Sequence, residues 1–256
     1  MIEKSSVRQS FSKGAKEYDK YAFIQKKMAL MLGEKLKNSE LQKTILEIGC
    51  GTGILSEILI KKYKNSNFTF IDISEEMIKK CKDKIGENIS WNYKCCDGEK
   101  FSNGNFDLIC SNAVFQWFTN LKESINSYLS MLNSGGVLAF TTFGPENFFE
   151  FSEAAKNAGI DGYSLDYFSY KKIISYIPKG YKVDFNEIKI EEEYDSFIEF
   201  LRYIKKIGAV IRTTENKNKM SLKKFKAMEE YFKKKDGNFK ITNHIYFFII
   251  KKENIK

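Results

Sequence analysis

The sequence predicts an α/β fold in which a doubly wound, mostly parallel sheet is covered by helices on both faces. Three observations carry this. From Thr44 onward, short apolar runs alternate with amphipathic segments; the first run empties into a glycine-rich turn, Gly49-Cys50-Gly51-Thr52-Gly53; and the second ends on an acid, Asp72. Alternation of this kind marks a parallel sheet, because parallel strands must be joined by a crossover and a helix is the usual one.

The elements follow in chain order. Residues 1–40 set Phe11, Tyr18, Tyr21, Phe23, Ile24, Met28, Leu32 and Leu36 at helical spacing against a polar face, which predicts one or two helices. Strands are predicted over 44–49, 67–73, 89–96, 106–112 and 136–143, with helices between them, one of them at 54–63 directly after the glycine turn. Past Gly144 the regularity weakens. A helix is expected over 146–158, then an irregular aromatic stretch to Pro178, then a strand over 181–190. Residues 196–208 read as a helix with Ser196 as N-cap and Gly208 at its end, and Phe197, Phe200, Leu201 and Ile204 share one face. A helix over 222–235 and a buried strand over 239–251 complete the chain, with Asp236-Gly237 as the turn between them. The whole of 1–256 is read as one domain, with N-terminal helices at 1–40 and an inserted capping region at about 145–235.

Composition narrows the class. A hydrophobic share of 43% with 15% aromatic residues excludes a disordered or fibrous chain. The N-terminus has no basic-then-apolar leader and no apolar run approaches a bilayer span, which predicts a soluble, cytoplasmic protein without a membrane partner. Five cysteines (Cys50, Cys81, Cys95, Cys96, Cys110) form no CxxC pair and stand beside no histidine cluster, so neither zinc nor a disulfide framework is expected; Cys95-Cys96 reads as small buried residues at a strand end. The formal charge is +9, and between Arg212 and Lys240 ten Lys or Arg face four Asp or Glu. Such an excess is either a solvated helical surface or a docking face for an acidic partner.

The glycine turn carries the strongest chemical signal. Glycines in a first βα turn permit positive φ and let a ligand approach backbone that a Cβ would block. A dinucleotide fingerprint wants a third glycine at position 54, where Ile54 stands, while Gly53 comes one residue early. GxGxG with Glu47 two residues upstream resembles motif I of class I methyltransferases. Asp72 stands 23 residues after Gly49, the spacing of a carboxylate that accepts from ribose hydroxyls. The third strand ends at Cys96-Asp97 and the fourth at Ser111-Asn112, so four such sites share the carboxyl ends of adjacent strands.

Further segments narrow the resemblance. Val7-Arg8-Gln9-Ser10-Phe11 followed by Tyr18-Asp19 and Phe23-Ile24-Gln25, then LEIGCGTG, FDLICSNAVFQW, LAFTTFGP and FLRYIKKIGA, resembles the malonyl-acyl carrier protein O-methyltransferases of biotin synthesis over nearly the whole chain. The resemblance implies a class I methyltransferase (Rossmann-like) sheet of seven strands with a helical lid, and S-adenosylmethionine as cofactor, held by Glu47, Gly49, Gly51, Gly53, Asp72, Ile73, Met77, Cys96, Asp97 and Asn112. It implies methyl transfer to the free carboxylate of a malonyl thioester on acyl carrier protein or coenzyme A, with Tyr18 and Arg202 as catalytic residues and Gln116, Trp117, Phe143 and Arg202 against the acceptor. The family usually reads Arg-His and then Thr-Gly-Ala-Asn where this chain has Arg202-Tyr203 and then Ile207-Gly208-Ala209-Val210. Those departures concern the acceptor end of the pocket.

What the sequence lacks fits that chemistry. Its one histidine, His244, lies inside a predicted strand, as a core or edge residue. A carboxylate is already ionised at neutral pH and a sulfonium carries its own leaving group, so no general base is needed. Tyr18 either donates to the acceptor carboxylate, orders the N-terminal lid or simply packs; Trp117 either walls the transfer channel or belongs to the core; Phe143 reads more as packing than as contact. Arg202 is expected to meet a carboxylate with its planar fork, because an arginine on an apolar helix needs an anion. The rival readings are a methyltransferase for another small acid or a quinone-type molecule, and an RNA methyltransferase using the basic C-terminal third. No Asn/Asp-Pro-Pro-Tyr motif or RNA-binding module supports the last, and no nucleic-acid partner is expected.

Overall fold

The computed structural model describes residues 3–37, 41–160, 167–208, 221–236 and 239–253. Three helices precede the sheet: α1 (Lys4–Gly14), α2 (Tyr18–Tyr21) and α3 (Phe23–Lys35). One or two were expected. Ala22, at φ −81° and ψ 42°, breaks what the spacing of apolar residues had made continuous. Then come β1 (Thr44–Ile48), α4 (Ile54–Lys62), β2 (Asn67–Asp72), α5 (Glu75–Ile85), β3 (Trp91–Cys95), β4 (Phe106–Asn112), α6 (Leu121–Ser130) and β5 (Leu132–Phe143). The remaining elements are α7 (Phe149–Asn157), α8 (Tyr170–Ile174), β6 (Tyr181–Tyr194), α9 (Phe197–Lys206), α10 (Leu222–Asp236) and β7 (Phe239–Lys252).

The seven strands form one sheet in the order β3-β2-β1-β4-β5-β7-β6, parallel throughout except for β7, which runs antiparallel to both β5 and β6. The chain winds outward from β1 to β3, then returns to place β4 on the other side of β1. That reversal opens a crevice beyond the carboxyl ends of β1 and β4, the usual ligand site of such sheets. Alternating residues feed separate cores, as the period of two demands: Ile45 packs toward α3 and α4, whereas Leu46 packs toward α6. Burial on both faces explains why these strands read as continuous apolar runs.

A third core belongs to the cap. Beyond the reach of β5, the β6–β7 ladder continues from Ile245 to Phe239, and Phe148, Phe151, Phe197, Phe200, Met228 and Phe232 pack around its far end. Glu150 fastens α7 to it, accepting from the Thr242 amide at 3.0 Å and the Thr242 hydroxyl at 2.5 Å. Helix α9 starts as expected, the Ser196 hydroxyl accepting from the Glu199 amide at 3.2 Å, and Gly208 follows it at φ +73°.

Several boundaries moved. Strand β3 starts later than expected because Ile89 is fully exposed. Strand β5 starts four residues earlier, and its register with β4 shifts between Phe106 and Leu108. Strand β6 runs to Tyr194 because β7 offers it partners that far. Helix α7 waits until Phe149, since Phe148 sits at φ +57°. Helix α8 was hidden in the aromatic stretch. Cys95 is exposed and Cys96 half-buried, so that pair is not the buried one expected: β3 is an edge strand and its pleat turns Cys95 to solvent. Residues 209–220 and 237–238, which hold Arg212, Val210 and part of the basic region, lie outside the described residues.

Candidate active site

The glycine turn after β1 is shaped by backbone conformation. Gly49, Gly51 and Gly53 have φ of 67°, 55° and 88°, values that L side chains rarely adopt. A Cβ on Gly49 would run into the Val114 side chain, and one on Gly53 would press on Cys81 Sγ at 3.2 Å. Gly51 differs: a Cβ there would meet no heavy atom within 4 Å, yet the residue lines the main cleft. A side chain there would project into the cleft. Gly51→Ala is expected to lower S-adenosylhomocysteine affinity about tenfold and to cost about 1–2 kcal/mol of stability from the left-handed backbone; titration calorimetry and a melting curve on the same preparation check both.

The cleft, open to solvent, spans about 650 Å³ beyond the ends of β1, β2, β3 and β4. Gly49, Gly51, Asp72, Ile73, Met77, Cys96, Asp97 and Asn112 all line it. Asp72 accepts from the Gly51 amide at 2.9 Å and from the Ser74 amide at 2.9 Å, so its carboxylate braces the glycine loop while keeping further lone pairs for a ligand. Burial pushes its pKa up to about 6, the amides opposing the rise. Asn112 has a committed side chain: Nδ2 donates to the Gln25 carbonyl at 3.0 Å and Oδ1 accepts from Thr141 at 2.7 Å. Its place in the cleft is that of a brace between β4, β5 and α3. Asp97 accepts from the Glu99 amide at 3.1 Å and lies 3.4 Å from Lys4 Nζ.

Two expected residues stand apart from this cleft. Gly53 caps α4 and lines no cavity among those described. Glu47 instead lines a side pocket with Gln25, Thr52, Ile54 and Leu55, contiguous with the cleft through Tyr18, Gly49, Gly51 and Asn112. Burial raises its pKa well above the carboxylate range, and its Oε2 has no hydrogen-bond partner. A buried acid with an open oxygen beside a glycine cradle suits a cationic group, such as the α-ammonium of a bound amino acid.

Helix α1 covers the cleft with Lys4, Val7 and Phe11, none of which was expected there. Polar contacts fasten it: Lys4 Nζ lies 2.5 Å from Glu99, and Ser12 donates to Glu76 at 2.6 Å. In α2, Asp19 accepts from Thr52 and Lys84, each at 2.5 Å. No periodicity announces a lid whose inner face is only three residues wide.

A second pocket adjoins the first through Phe11, Tyr18, Ala113 and Trp117. Gln116, Trp117 and Phe143 line it. Trp117 packs edge-on against Phe11 at 5.7 Å, and Gln116 is held by the Ala113 carbonyl at 2.7 Å. Tyr18 lines all three cavities. Residues missed here include Gln25, Asn147, Tyr167 and Asn243, and Gln25 and Asn243 each carry a buried side-chain oxygen that lacks a partner; Tyr203, one of the departures at the acceptor end, lines the pocket as well. A signal existed for Asn243: Thr242-Asn243-His244 is a polar run inside an apolar strand. His244 itself lines neither pocket; its ring lies between the Glu146 amide at 3.2 Å and Glu187 Oε2 at 3.3 Å.

Arg202 is a correction. It is exposed, lines none of these cavities and has no ion pair or hydrogen bond among the described residues. At about 100° per residue, Arg202 lies roughly 200° around α9 from Phe200, on the side away from Phe197, Tyr203 and Ile204. Its side chain leaves the apolar face of the helix for solvent, so the helix does not oblige it to find an anion.

Comparisons with known proteins agree with this geometry. Residues 46–140 match the family model described as "Methyltransferase domain". Malonyl-[acyl-carrier protein] O-methyltransferase 2 of Ilyobacter polytropus is 40% identical, over 98% of this chain and 99% of its own. The enzyme of that name from Acetivibrio thermocellus is 35% identical, over 99% and 95%. Among solved structures, the N-methyltransferase NodS of Bradyrhizobium japonicum, in complex with S-adenosylhomocysteine, superposes with a TM-score of 0.55 at 15% identity over 96% of this chain and 98% of its own. The plantazolicin methyltransferase BpumL, also with S-adenosylhomocysteine, gives 0.53 at 16% over 98% and 95%. With this fold, a glycine cradle that fits S-adenosylmethionine as cofactor, and relatives of that identity over nearly its full length, the chain belongs to the malonyl-[acyl-carrier protein] O-methyltransferase family of methyltransferases.

Proposed function

We propose that the protein methylates the free carboxylate of a malonyl thioester carried by acyl carrier protein, an early step of biotin synthesis in which the methyl ester disguises the acid for fatty-acid elongation enzymes. The observation that carries this reading is the lining of the second pocket. Its described residues include no acid, lysine, arginine or histidine. Tyr18, Tyr167 and Tyr203 are there, and burial pushes each pKa above the ordinary phenol value, so none serves as a base near neutrality. An acceptor in this pocket must arrive able to attack without losing a proton to a protein base, as a carboxylate does.

Bound S-adenosylmethionine supplies an electrophilic methyl on a sulfonium. Gly49 and Gly51 would give backbone room to it, Asp72 would accept from its ribose and Glu47 from its ammonium. Around the acceptor, Phe11, Trp117 and Phe143 exclude water, and Tyr18 and Gln116 orient it. Catalysis then rests on in-line positioning in a dry pocket, where the carboxylate has lost the water that would stabilise it. Neutral donors suit this better than an arginine, whose ion pair would quench the attacking oxygen. Arg202→Ala is accordingly expected to change kcat/KM by no more than about threefold, less than 1 kcal/mol at 1.36 kcal/mol per tenfold; steady-state kinetics with malonyl-carrier protein checks this. Lys223 and Lys226, exposed on α10, offer charge to an acidic carrier. Among the described residues no helix is long and apolar enough to cross a membrane.

The test is incubation with methyl-labelled S-adenosylmethionine and a panel of malonyl-carrier protein, malonyl-CoA, free diacids and RNA. Base-labile label on the malonyl thioesters is the expected result. Label on a free diacid or RNA, with none on a malonyl thioester, would overturn the assignment.

A further inference from the structure

The malonyl group does not account for the polar atoms at the far wall of the second pocket. Asn243, fully buried on β7, donates through Nδ2 to Glu192 Oε2 at 3.2 Å, and Tyr194 donates to that same oxygen at 3.1 Å. The Glu192 contact fixes which way the Asn243 amide faces, because a carboxylate takes the NH2 end and leaves Oδ1 free. That oxygen has no partner. Nearby, the Tyr203 hydroxyl lies beside Tyr194, their rings 5.4 Å apart, close enough for its oxygen to accept from that neighbour, while its own O–H donates to no protein acceptor. Both residues line the pocket that Tyr18 and Trp117 join to the cofactor cleft.

The two groups ask for different things. A tyrosine kept protonated by burial donates, so it suits a carbonyl oxygen. An amide oxygen only accepts, so it needs an N–H or O–H, and an ionised malonyl thioester has neither. The arm that bears the thioester can supply that donor.

Resting on the malonyl-thioester reading above, we propose that Tyr203 and Asn243 form a recognition site for the thiol arm: Tyr203 donates to the thioester carbonyl and Asn243 Oδ1 accepts from an amide N–H a few bonds beyond the sulfur. The acceptor class is a malonyl thioester on an amide-bearing, cysteamine-type arm, and a simple alkyl thioester is discriminated against. The selectivity has the physical basis seen wherever a buried acceptor is built to be paired: the analogue without the donor leaves it orphaned.

Two probes of equal length separate these cases, the S-(2-acetamidoethyl) and the S-pentyl thioesters of malonate. The wild-type protein is expected to favour the first by about tenfold in kcat/KM, one buried hydrogen bond's worth. Asn243→Leu should bring that preference within about twofold. Tyr203→Phe, which removes one oxygen, should lower turnover of both probes about tenfold because both present the carbonyl. Equal wild-type rates on the two probes overturn the Asn243 assignment even if Asn243→Leu fails to fold, and an unchanged Tyr203→Phe protein overturns the Tyr203 assignment. A wild-type protein that methylates neither probe nor malonyl-carrier protein overturns the underlying reading instead, and this inference with it.

Discussion

Asp72→Ala is expected to weaken S-adenosylhomocysteine binding by about 1–3 kcal/mol, roughly fivefold to a hundredfold, because it leaves ribose hydroxyls without their buried acceptor. The same change frees the Gly51 amide, which donates to Asp72 at 2.9 Å, so the cradle loosens as well. A pH dependence accompanies this. Burial holds the Asp72 pKa near 6, above its unfolded value of 3.8. Hydroxyl donors prefer the carboxylate, so affinity should rise as pH climbs through about 6 and level off above it. Stability moves the other way. A group whose folded pKa is raised contributes stability that is full below the unfolded pKa and is lost as pH rises through the folded one, so Asp72 becomes a burden between about pH 4 and 6. Asp72→Asn should therefore keep or gain thermal stability at pH 7 while losing affinity. Calorimetric titrations from pH 5 to 8 check the first claim and melting curves the second; affinity flat across that range would remove Asp72 from the ribose.

Tyr18→Phe should reduce kcat/KM tenfold to a hundredfold, about 1.4–2.7 kcal/mol at 1.36 kcal/mol per tenfold, with S-adenosylhomocysteine affinity nearly constant. The ring keeps its edge contact with Phe11 at 6.3 Å, so the variant tests the hydroxyl rather than the packing. Tyr18 lines all three cavities, and burial next to Asp72 and Asp19 keeps its hydroxyl protonated. It is thus a donor to whatever lies between cofactor and acceptor. A lid role predicts another outcome: loss of cofactor affinity and lower melting temperature with kcat spared. Kinetics, calorimetry and melting on one preparation separate the two.

The sheet was readable because burial on both faces imposes runs such as Ile45–Ile48 with a glycine turn behind them, and the cofactor end followed because its residues sit at strand termini. The acceptor end resisted. Its wall is assembled from α3, α9, β5 and β7, elements far apart in sequence, and no local pattern says that Gln25, Tyr203 and Asn243 converge. Arg202 shows a different failure. Its helix was placed correctly, and the period of 3.6 already set it opposite Phe200, but the need to give an arginine a partner outweighed the geometry. An arginine at a helix surface has water.

The manner in which α1 is tied down has a consequence for traffic through the enzyme. Val7 and Phe11 lie over the cleft, and their helix is held by Lys4 to Glu99 and Ser12 to Glu76, with Lys4 also reaching Asp97 in the cleft wall. A product that leaves past this helix would have to loosen contacts that the cleft wall shares. A loosely latched chain would exchange its cofactor quickly and leak water onto the carboxylate, and a tightly latched one would stay dry and turn over slowly. The polar latch, unlike an apolar seam, places that compromise within reach of ionic strength.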